Sequence, residues 1–587
     1  MKKLPIGVDN FQKLASGDYL FCDKTAMIAA FLNKGDEVTL ITRPRRWGKT
    51  LNMSMLQHFF SSEVNGVSTA GLFDDLEIGK LNGGSYVTTH QGQSPVIMIS
   101  FKDVNADSFK GAIDIIYLLI KRQYGSFEYL LKSNKLNSDQ KCEFNAILDK
   151  SANQSQLENS LELLSQCLYQ HHGKKVYILV DEYDTPLNKA YGNKAYLKSM
   201  VQFMRNLFSA SLKGNHALER GVLTGILRIS KDSMLSGLNN LKTYTLLDQG
   251  YGDHFGFLED EVSFFFKEKA LTSSMEEVRS WYNGYKVGNL VMYNPWSIIS
   301  CLSEEGRFDV YWVNTGNNDL IKQLIFSSSS GIKEQFEQLM QGETLAVSID
   351  KHLSFDLLGT NENALWSLLL FAGYLKAVDV VFNTRNGLYD CKLAIPNQEV
   401  ATLYNRFFEE WLISKFPSQS RYDIFIRYLL SGKVNEFIQD LNIYLFQSAS
   451  FFDTTAGKRG ESFYHGFTLA MLASISDSHY IRSNRESGLG RYDILIIPKN
   501  GPKALLLEFK YLLKSEELES SAKLALQQIQ SQAYHTELLQ YPHVQSVVEV
   551  GIAFSGKSVV AAYATYDLVN KQAGDIILTN RYVQEEC

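Results

Sequence analysis

Short apolar segments alternate with stretches of helical periodicity between residues 1 and 250. The apolar segments are VTLIT (38–42), PVIMISF (95–101), VYILVDE (176–182) and RGVLTGIL (220–227). Segments that are apolar throughout are typical of strands covered on both faces, as in a parallel sheet flanked by helices. Helical segments separate them, including one that starts at Leu51 and one that starts at Asn159. This alternation restricts the region to a layered α/β domain.

The pattern changes after residue 250. The following stretch reads mainly as helices with a small hairpin, which predicts a helical lid and a winged-helix-like module. The last third contains a helix at 461–476, a hairpin at 494–507, a helix at 516–540 and two late strands. We therefore predict an α/β multidomain protein with domains at 1–250, 251–430 and 431–587.

Composition places the chain among folded proteins and limits its partners. Its 587 residues exceed one ordinary domain, and the 45% of hydrophobic residues supply packed cores. The net charge of −6 argues against a generally basic binder of nucleic acid, although a local basic groove stays compatible with it.

The N-terminal sequence lacks the apolar core of a secretion signal, and no apolar run reaches the ~18 residues of a membrane span. The six cysteines show no paired spacing, so we expect a cytoplasmic protein in a reducing setting, with no membrane partner.

The strand at 38–42 leads into RPRRWGKTLN, which ends like the phosphate-loop pattern G-x-x-x-x-G-K-[ST]. Gly48 lets the backbone approach phosphates at the start of a helix, where unpaired N–H groups favour anions. Lys49 would reach the β- and γ-phosphates, and the Thr50 hydroxyl would bind Mg²⁺. Arg43 stands where the general pattern has its first glycine. The strand–loop–helix context makes the motif more specific than the three residues alone.

A second motif follows the strand at 176–182. Asp181 would hold Mg²⁺ beside the phosphate loop, and Glu182 would polarise the attacking water. Thr224, near the end of another strand, would contact the γ-phosphate, and Arg228 would contact phosphate or a neighbouring subunit. The alternatives are a helix start without a ligand and a solvated strand end. The motifs occur in the expected order, so together they favour ATP binding.

Two acids bracket the C-terminal hairpin. Asp493 opens its first strand, Glu508 lies near the end of the second, and Lys510 follows two residues later. Two neighbouring carboxylates repel one another, and a hard divalent cation turns that repulsion into coordination. Lys510 would share a face with Glu508, where it could act on water or phosphate. Glu461 could add a further oxygen ligand, and the alternative is a surface hairpin with a Glu508–Lys510 salt bridge.

The helix after the hairpin carries two further polar candidates. Gln528 and Tyr534 lie about two helical turns apart and could face the same pocket. An ordinary half-exposed helix is the alternative, and it is favoured for Tyr534.

Several motifs together resemble one family. They are GVDNFQKL…YLFCDKTAMI, LITRPRRWGKTLNMSML, ILVDEYDTPL, LTGILRISKDSMLSGLNNL, WYNGY (281–285), YNPWSII (293–299), YWVNTG (311–316) and ESGLGRYDILI through LLEFK. They are similar to the AAA-ATPase-like family of uncharacterised bacterial proteins, whose members typically carry a C-terminal PD-(D/E)XK nuclease-superfamily domain. The resemblance spans nearly the whole chain, and Arg43 is similar to that family's own RPRRxGK form.

The resemblance implies a fold and a function. It implies an N-terminal P-loop NTPase of the STAND/AAA-like kind, a lid with a winged-helix-like middle, and a C-terminal nuclease fold. The family's nuclease residues are all present, as Glu461, Asp493, Glu508 and Lys510. The leading hypothesis is an ATP-binding and ATP-hydrolysing switch coupled to a nuclease that depends on Mg²⁺ or Mn²⁺. Its partners would be ATP and nucleic acid, with DNA expected first and a homo-oligomer left open.

Another class of function stays open. In it, an ATP-dependent binding or remodelling switch uses the nuclease-like domain only to clamp nucleic acid or a protein partner. A small-molecule kinase explains less, because it leaves the C-terminal carboxylates without a role.

Overall fold

The computed structural model describes residues 2–579 with gaps. The gaps are residues 229–234, 236, 272, 313–318, 327, 329, 341, 353–356, 359–360, 414–417, 448–467, 469–471, 473–474, 476–477, 484–485, 488–489, 513–516 and 556–557. The chain separates into two compact units, Met1–Leu324 with Gly342–Ala401, and Ile325–Gln341 with Thr402–Cys587. The finer division at residues 250 and 430 stays a prediction.

Helices and strands alternate along most of the described chain. The helices are α1 (Phe11–Ala15), α2 (Ala26–Asn33), α3 (Lys49–Phe60), α4 (Glu77–Lys80), α5 (Ser85–His90), α6 (Phe109–Ser126), α7 (Ser138–Leu148), α8 (Gln154–Glu158), α9 (Ser160–His172), α10 (Thr185–Ala190), α11 (Lys194–Leu212), α12 (Glu259–Glu268), α13 (Met275–Tyr282), α14 (Pro295–Ser303), α15 (Asp319–Phe326), α16 (Ser330–Met340), α17 (Glu362–Phe371), α18 (Gln398–Ile413), α19 (Gln419–Leu430), α20 (Val434–Gln447) and α21 (Leu518–Gln532). The strands of the first unit are β1 (Val38–Thr42), β2 (Glu63–Val64), β3 (Val67–Ser68), β4 (Val96–Ser100), β5 (Val176–Asp181), β6 (Leu218–Gly225), β7 (Leu241–Tyr244), β8 (Tyr285–Val287), β9 (Leu290–Met292), β10 (Leu345–Ile349), β11 (Lys376–Asn383) and β12 (Leu388–Ala394). Those of the second are β13 (His479–Ser483), β14 (Glu486–Ser487), β15 (Gly490–Arg491), β16 (Ile494–Pro498), β17 (Lys503–Tyr511), β18 (Ser546–Ser555), β19 (Ser558–Asp567), β20 (Gln572–Ala573) and β21 (Ile577–Leu578).

A parallel sheet in the order β4-β5-β6-β1-β7 forms the core of the first unit. The apolar runs predicted as strands form β1, β4, β5 and β6, and every residue of β1 and β5 is buried. Helices α3, α6, α9 and α11 pack against the sheet, as expected for strands that are apolar throughout. Since β1 lies between β6 and β7, the loop after it opens at the sheet's carboxyl edge, one strand in from the end formed by β7.

The later part of the first unit contains α12–α14, α17 and small antiparallel sheets. Leu20 of the N-terminal segment shares one apolar cluster with helix residues such as Phe265 and Ile298. Strands β10, β12 and β11 pair antiparallel in that order, and β8 pairs with β9. The interpretation as a helical lid with a winged-helix-like module stays a prediction.

A mixed sheet forms the core of the second unit, with the described strands in the order β13-β16-β17-β18-β19-β20 and with β21 against β19. The predicted hairpin is confirmed, because β16 and β17 pair antiparallel, while β17 and β18 run parallel. One face packs on α19 and α20, and the other face is covered by α21. The helix predicted at 461–476 falls mainly outside the described residues.

Candidate functional site

The loop from β1 to α3 has the backbone that a phosphate cradle needs. Gly48 caps α3 in the left-handed conformation, with φ of 77° and ψ of 16°. A Cβ added there would meet nothing within 4 Å, so the requirement for glycine is conformational. Lys49 begins the helix immediately afterwards, which directs the first N–H groups of α3 toward the loop.

The Lys49 side chain folds back over its own loop. Its Nζ donates to the carbonyl oxygen of Arg43 at 3.2 Å and to that of Pro44 at 2.9 Å. Only 4% of the residue is exposed, and burial lowers the pKa of Lys49, although the carboxylates of Glu182, Asp181 and Asp184 oppose that shift. The Lys49 ammonium therefore already bonds to carbonyl oxygens of the loop, and the oxygens of a bound phosphate would replace them as stronger acceptors.

Asp181 forms the centre of a hydroxyl network. Thr50 Oγ1 donates to Oδ2 of Asp181 at 2.8 Å, and Thr224 Oγ1 donates to Oδ1 at 2.7 Å. Ser100 Oγ also donates to Oδ2, at 3.2 Å, and it was not singled out from the sequence. The structure therefore brings the side-chain oxygens of Thr50, Asp181 and Thr224 together beside the loop. Mg²⁺ prefers oxygen ligands of this kind.

The residues after Asp181 have different environments. Glu182 is half-buried with φ of 50°, a left-handed conformation that costs energy for a residue with a side chain. Asp184, which sequence reasoning missed, is buried and accepts from the amides of Ile226 at 2.9 Å and Leu227 at 3.1 Å. Burial raises the pKa of Asp184, and these amides oppose the shift. Asp184 thus ties the end of β5 to the end of β6, and its place in the DEYD motif was the available signal.

Arg228 lies half-buried after β6. Burial lowers the pKa of Arg228, while Tyr183, Asp248 and Asp350 act in the opposite direction. Contact between Arg228 and a phosphate stays a prediction.

Arg43 occupies the position of the first glycine as a structural anchor. It is fully buried and donates to the carbonyl oxygens of Thr42, Tyr244, Gly250 and Tyr251. Burial lowers the pKa of Arg43 to about 10. The guanidinium therefore pins the start of the loop to β7 and to the segment after it, contacts that the sequence motif alone does not indicate.

A second anchor holds the middle of the loop. The carbonyl oxygen of Arg45 accepts from Trp312 Nε1 at 3.1 Å and from Asn294 Nδ2 at 3.5 Å. The guanidinium of Arg46 lies 4.3 Å from the centre of the Trp296 ring. Asn294, Trp296 and Trp312 thus support the phosphate loop from more than two hundred residues away, which gives these positions of the YNPW and YWVN motifs a structural role.

Glu399 in turn supports this anchor. Its buried carboxylate accepts from the amides of Tyr311 and Trp312, each at 2.8 Å, and from Ser297 Oγ at 2.7 Å. Burial raises the pKa of Glu399 to about 7, although these donors oppose the shift.

The C-terminal acids lie on one face of their sheet. The register pairs Ile494 with Leu507, so the next position outward places Asp493 opposite Glu508. Side chains alternate along a strand, and β17 runs on to Tyr511, so Lys510 shares the face of Glu508. Asp493 is half-buried, and its Oδ2 accepts from the amide of Phe509 at 2.7 Å.

Glu508 is 3% exposed and lies under α21. Its Oε1 accepts a hydrogen bond from Gln528 and lies 3.6 Å from Lys510 Nζ. Gln528 Nε2 also lies 3.3 Å from the Tyr534 hydroxyl, so these two side chains meet beside Glu508. The half-exposed alternative is wrong for Tyr534, which is buried in a short 3₁₀ helix, Tyr534–Gln540.

A close approach of helix and sheet brings Gln528 over Glu508. Gly551 of β18 pairs with Glu508, and a Cβ on Gly551 would lie 2.4 Å from both Ala522 O and Leu526 N of α21. Only glycine allows this spacing.

A neighbouring polar cluster fixes the segment before Asp493. The Tyr492 hydroxyl donates to Glu537 Oε2 at 2.7 Å, and Arg482 of β13 forms an ion pair with Glu537. These partners are far apart in sequence and belong to no local motif, so they were not predicted.

The described part of the chain holds no group of three or more His, Cys, Asp or Glu side chains placed to bind a metal ion. Glu461, the third predicted oxygen ligand, lies outside the described residues. Asp493 and Glu508 are the carboxylates that the described residues supply, and an all-oxygen donor set of this kind fits Mg²⁺ or Mn²⁺.

Comparison with known proteins agrees with these geometries. Residues 5–235 match the family model described as "Predicted AAA-ATPase", and residues 459–563 match that of the PD-(D/E)XK nuclease superfamily. A relative from Azotobacter chroococcum mcd 1, described as "Uncharacterized protein in vnfD 5'region", is 27% identical over 408 residues, which are 69% of each chain. No solved structure matches. Among the helices of the described residues, none has the length and apolar character to cross a bilayer.

Proposed function

We propose that this chain, which carries an AAA-ATPase-like domain and a PD-(D/E)XK nuclease-superfamily domain, is an ATP-driven switch coupled to a metal-dependent nuclease. The observation that carries the nuclease part is the placement of Asp493, Glu508 and Lys510 on one face of the sheet. Two carboxylates opposite each other on a hairpin repel, and Glu508 is only 3% exposed, so a divalent cation bound by both would stabilise the fold beyond what Gln528 and Lys510 supply.

The ATP part rests on the loop and on the Asp181 network. Gly48 and the start of α3 present N–H groups, Lys49 supplies a buried positive charge, and Thr50 with Asp181 would hold Mg²⁺. Glu182 would orient the attacking water, and Thr224 would contact the γ-phosphate. Hydrolysis would change the contacts of the loop and thereby the position of its anchors.

The C-terminal residues divide the work of phosphodiester cleavage. Asp493 and Glu508, with Glu461 as a further ligand, would hold Mg²⁺ or Mn²⁺. Such an ion, when bound, lowers the pKa of water and neutralises charge on the phosphate. Gln528 orients the Glu508 carboxylate, and Lys510 is 31% exposed, which leaves its ammonium access to a phosphate oxygen or an attacking water.

Separate variants test the two sites in the full-length chain. Plasmid DNA, single-stranded DNA and RNA are each incubated with Mn²⁺ and wild-type protein, Glu508→Gln or Glu519→Gln. Glu519 is an exposed acid on α21, so its variant controls for the loss of one charge. We expect Glu508→Gln alone to lose cleavage, and equal cleavage by all three proteins would refute the nuclease.

The ATP site has its own control. Lys49→Ala should abolish ATP binding measured by calorimetry, whereas Lys198→Ala, at an exposed position on α11, should leave it unchanged. Equal ATP affinity in the two variants would contradict the assignment of the loop.

The clamp alternative has less support. A domain that only binds nucleic acid or a protein has no need for Asp493, Glu508 and Lys510 on one face of the sheet, whereas metal-dependent cleavage of a phosphodiester uses that combination of side chains.

A further inference from the structure

An aromatic and basic surface lies at the outer edge of the sheet in the second unit. Strand β13 is the last of the described strands on that side of the sheet, and its Tyr480 is 47% exposed. Tyr541 directly follows the short 3₁₀ helix, and its ring centre lies 6.3 Å from that of Tyr480. Lys499 and His543 are exposed beside these two rings. These four residues are called the β13 patch below.

The patch combines ring faces with positive charge. The exposed Lys499 ammonium lies 5.3 Å from the centre of the Tyr480 ring, so it can reach a phosphate beside a stacked base. The His543 ring lies 6.1 Å from that of Tyr541, and His543 Nε2 donates to the carbonyl oxygen of Pro498 at 2.8 Å. Aromatic rings interleaved with cations are typical of surfaces that bind unpaired nucleic acid.

An ion pair beside the patch holds Tyr541 in place. Arg482 of β13 pairs with Glu537, and its guanidinium also donates to the Tyr541 hydroxyl. The same guanidinium lies 5.5 Å from the centre of the Tyr541 ring. Because these contacts fix the ring before any ligand arrives, binding on it costs little conformational freedom.

The β13 patch lies on the same face of the sheet as the candidate metal ligands. The register pairs Tyr480 with Ile497, and directly paired residues share a face. Ile497 follows Asp493 by an even number of positions, so Tyr480 lies on the face of Asp493. By the rise of a strand, the two positions are about 13 Å apart along the sheet. At about 3.4 Å per nucleotide, as within a duplex strand, this distance corresponds to about four nucleotides.

We propose that the β13 patch binds single-stranded DNA next to the site of cleavage. Tyr480 and Tyr541 stack on unpaired bases of any identity, and Lys499 contacts a phosphate. In a duplex the neighbouring base pairs cover the base faces, so these rings find nothing to stack on along its length. Stacking and phosphate contacts use no 2′-hydroxyl, so DNA meets every contact that the patch offers. This inference rests on the nuclease function proposed above, and it specifies a substrate with a single-stranded segment.

Fluorescence anisotropy on the full-length chain tests the proposal. Labelled oligo(dT), oligo(U) and a blunt DNA duplex of equal length are titrated in EDTA, which prevents metal-dependent cleavage. Tyr480→Ala should weaken the binding of oligo(dT) about tenfold, as expected for one lost stack, and should leave duplex binding unchanged. Tyr480→Phe keeps the ring and should bind like wild type. Lys499→Ala should lower the slope of log affinity against log salt by about 0.7, as expected for one phosphate contact on a single strand.

A tyrosine of the first unit provides the matched control. Tyr129 is 43% exposed, so Tyr129→Ala removes a similarly exposed ring from another surface of the chain. This variant should bind oligo(dT) like wild type, and a tenfold loss there would show that the effect of Tyr480→Ala is not specific to the patch.

The outcomes separate this proposal from the nuclease function. If the protein cleaves DNA in Mn²⁺ but Tyr480→Ala binds oligo(dT) like wild type, the patch is wrong while the nuclease stands. The patch is also wrong if Tyr480→Ala weakens the duplex as much as the single strand, or if Tyr480→Phe loses as much affinity as Tyr480→Ala. Tighter binding of oligo(U) than of oligo(dT) would refute the assignment to DNA. If oligo(dT) binds through Tyr480 but no nucleic acid is cleaved in Mn²⁺, the nuclease fails while the patch stands.

Discussion

Glu399 shows how a single buried carboxylate makes stability depend on pH. Burial raises its pKa from the ordinary 4.5 to about 7, so the folded chain holds this proton more tightly than the unfolded chain does. The contribution is fully present below pH 4.5 and is lost as the pH rises through 7. The free energy of unfolding should therefore fall by on the order of 3 kcal/mol across this range from this group.

Glu399→Gln should remove this dependence. The glutamine oxygen can accept from the amides of Tyr311 and Trp312, and its amide can donate to Ser297, so every contact has a replacement. Urea unfolding of wild type and variant at pH 5 and pH 8 measures the effect. The variant should gain about 2–3 kcal/mol relative to wild type at the higher pH. Glu277→Gln, at an exposed position on α13, is the control, and equal pH profiles for Glu399→Gln and wild type would contradict the prediction.

Trp312→Phe tests the support of the phosphate loop. The change removes the indole N–H that donates to the Arg45 carbonyl, and one buried hydrogen bond is worth about 1 kcal/mol. If the loss of this hydrogen bond weakens ATP binding by the same ~1 kcal/mol, the dissociation constant measured by calorimetry rises about fivefold. Trp366→Phe, in α17, matches the change in size; a similar loss of affinity there would show that the effect is not specific to the loop.

At the scale of residues, the sequence predicts those functional side chains that belong to short local motifs. Lys49, Thr50, Asp181 and Thr224 lie together as their motifs implied. Arg43, Asp184 and Glu399 escaped prediction because their partners are mainly backbone groups of distant segments, with Ser297 Oγ as a further partner of Glu399, and no spacing rule encodes such contacts.

At the scale of elements, Gly551 sets the distance between α21 and the sheet. Gly551→Ala would place a methyl group 2.4 Å from two backbone atoms of α21, so the helix must move. We expect the unfolding free energy to fall by about 1–3 kcal/mol and nuclease activity to be lost, because the shift of the helix moves Gln528 away from Glu508. Chemical denaturation and a cleavage assay measure both effects.

The matched control adds the same methyl group elsewhere. Gly125 lies in α6, and a Cβ there meets nothing within 4 Å, so Gly125→Ala should be neutral or slightly stabilising. If Gly551→Ala behaves like this control, the helix is not held at the proposed distance.

Elements with strong patterns were predictable, and short or irregular ones were not. The strands β1, β4, β5 and β6 stand out as apolar runs, whereas β7 has four residues without a clear apolar period. Strand β17 extends to Tyr511, beyond its apolar run, because pairing with β18 continues past Glu508 and Lys510. Tertiary pairing rather than local propensity decides such ends.

At the scale of the whole molecule, each ligand should stabilise only through its own site. Mg²⁺ with ATP at a hundred times its dissociation constant adds about 2.7 kcal/mol, which raises a melting temperature by a few degrees. Calorimetric scans should show this shift in wild type and in Asp493→Ala but not in Lys49→Ala. Mn²⁺ alone should shift wild type and Lys49→Ala but not Asp493→Ala, and a Mn²⁺ shift in Asp493→Ala would remove that acid from the metal site.

The position of β7 has a practical consequence for dissecting this protein. The segment that matches the ATPase family ends at residue 235, whereas β7 spans Leu241–Tyr244 and pairs with β1. A fragment cut at that boundary would leave β1 as an open sheet edge with unpaired backbone groups, which invites aggregation. It would also remove the carbonyls that hold Arg43. Insolubility of such a truncation would therefore report a missing neighbour strand and would carry no information about nucleotide binding.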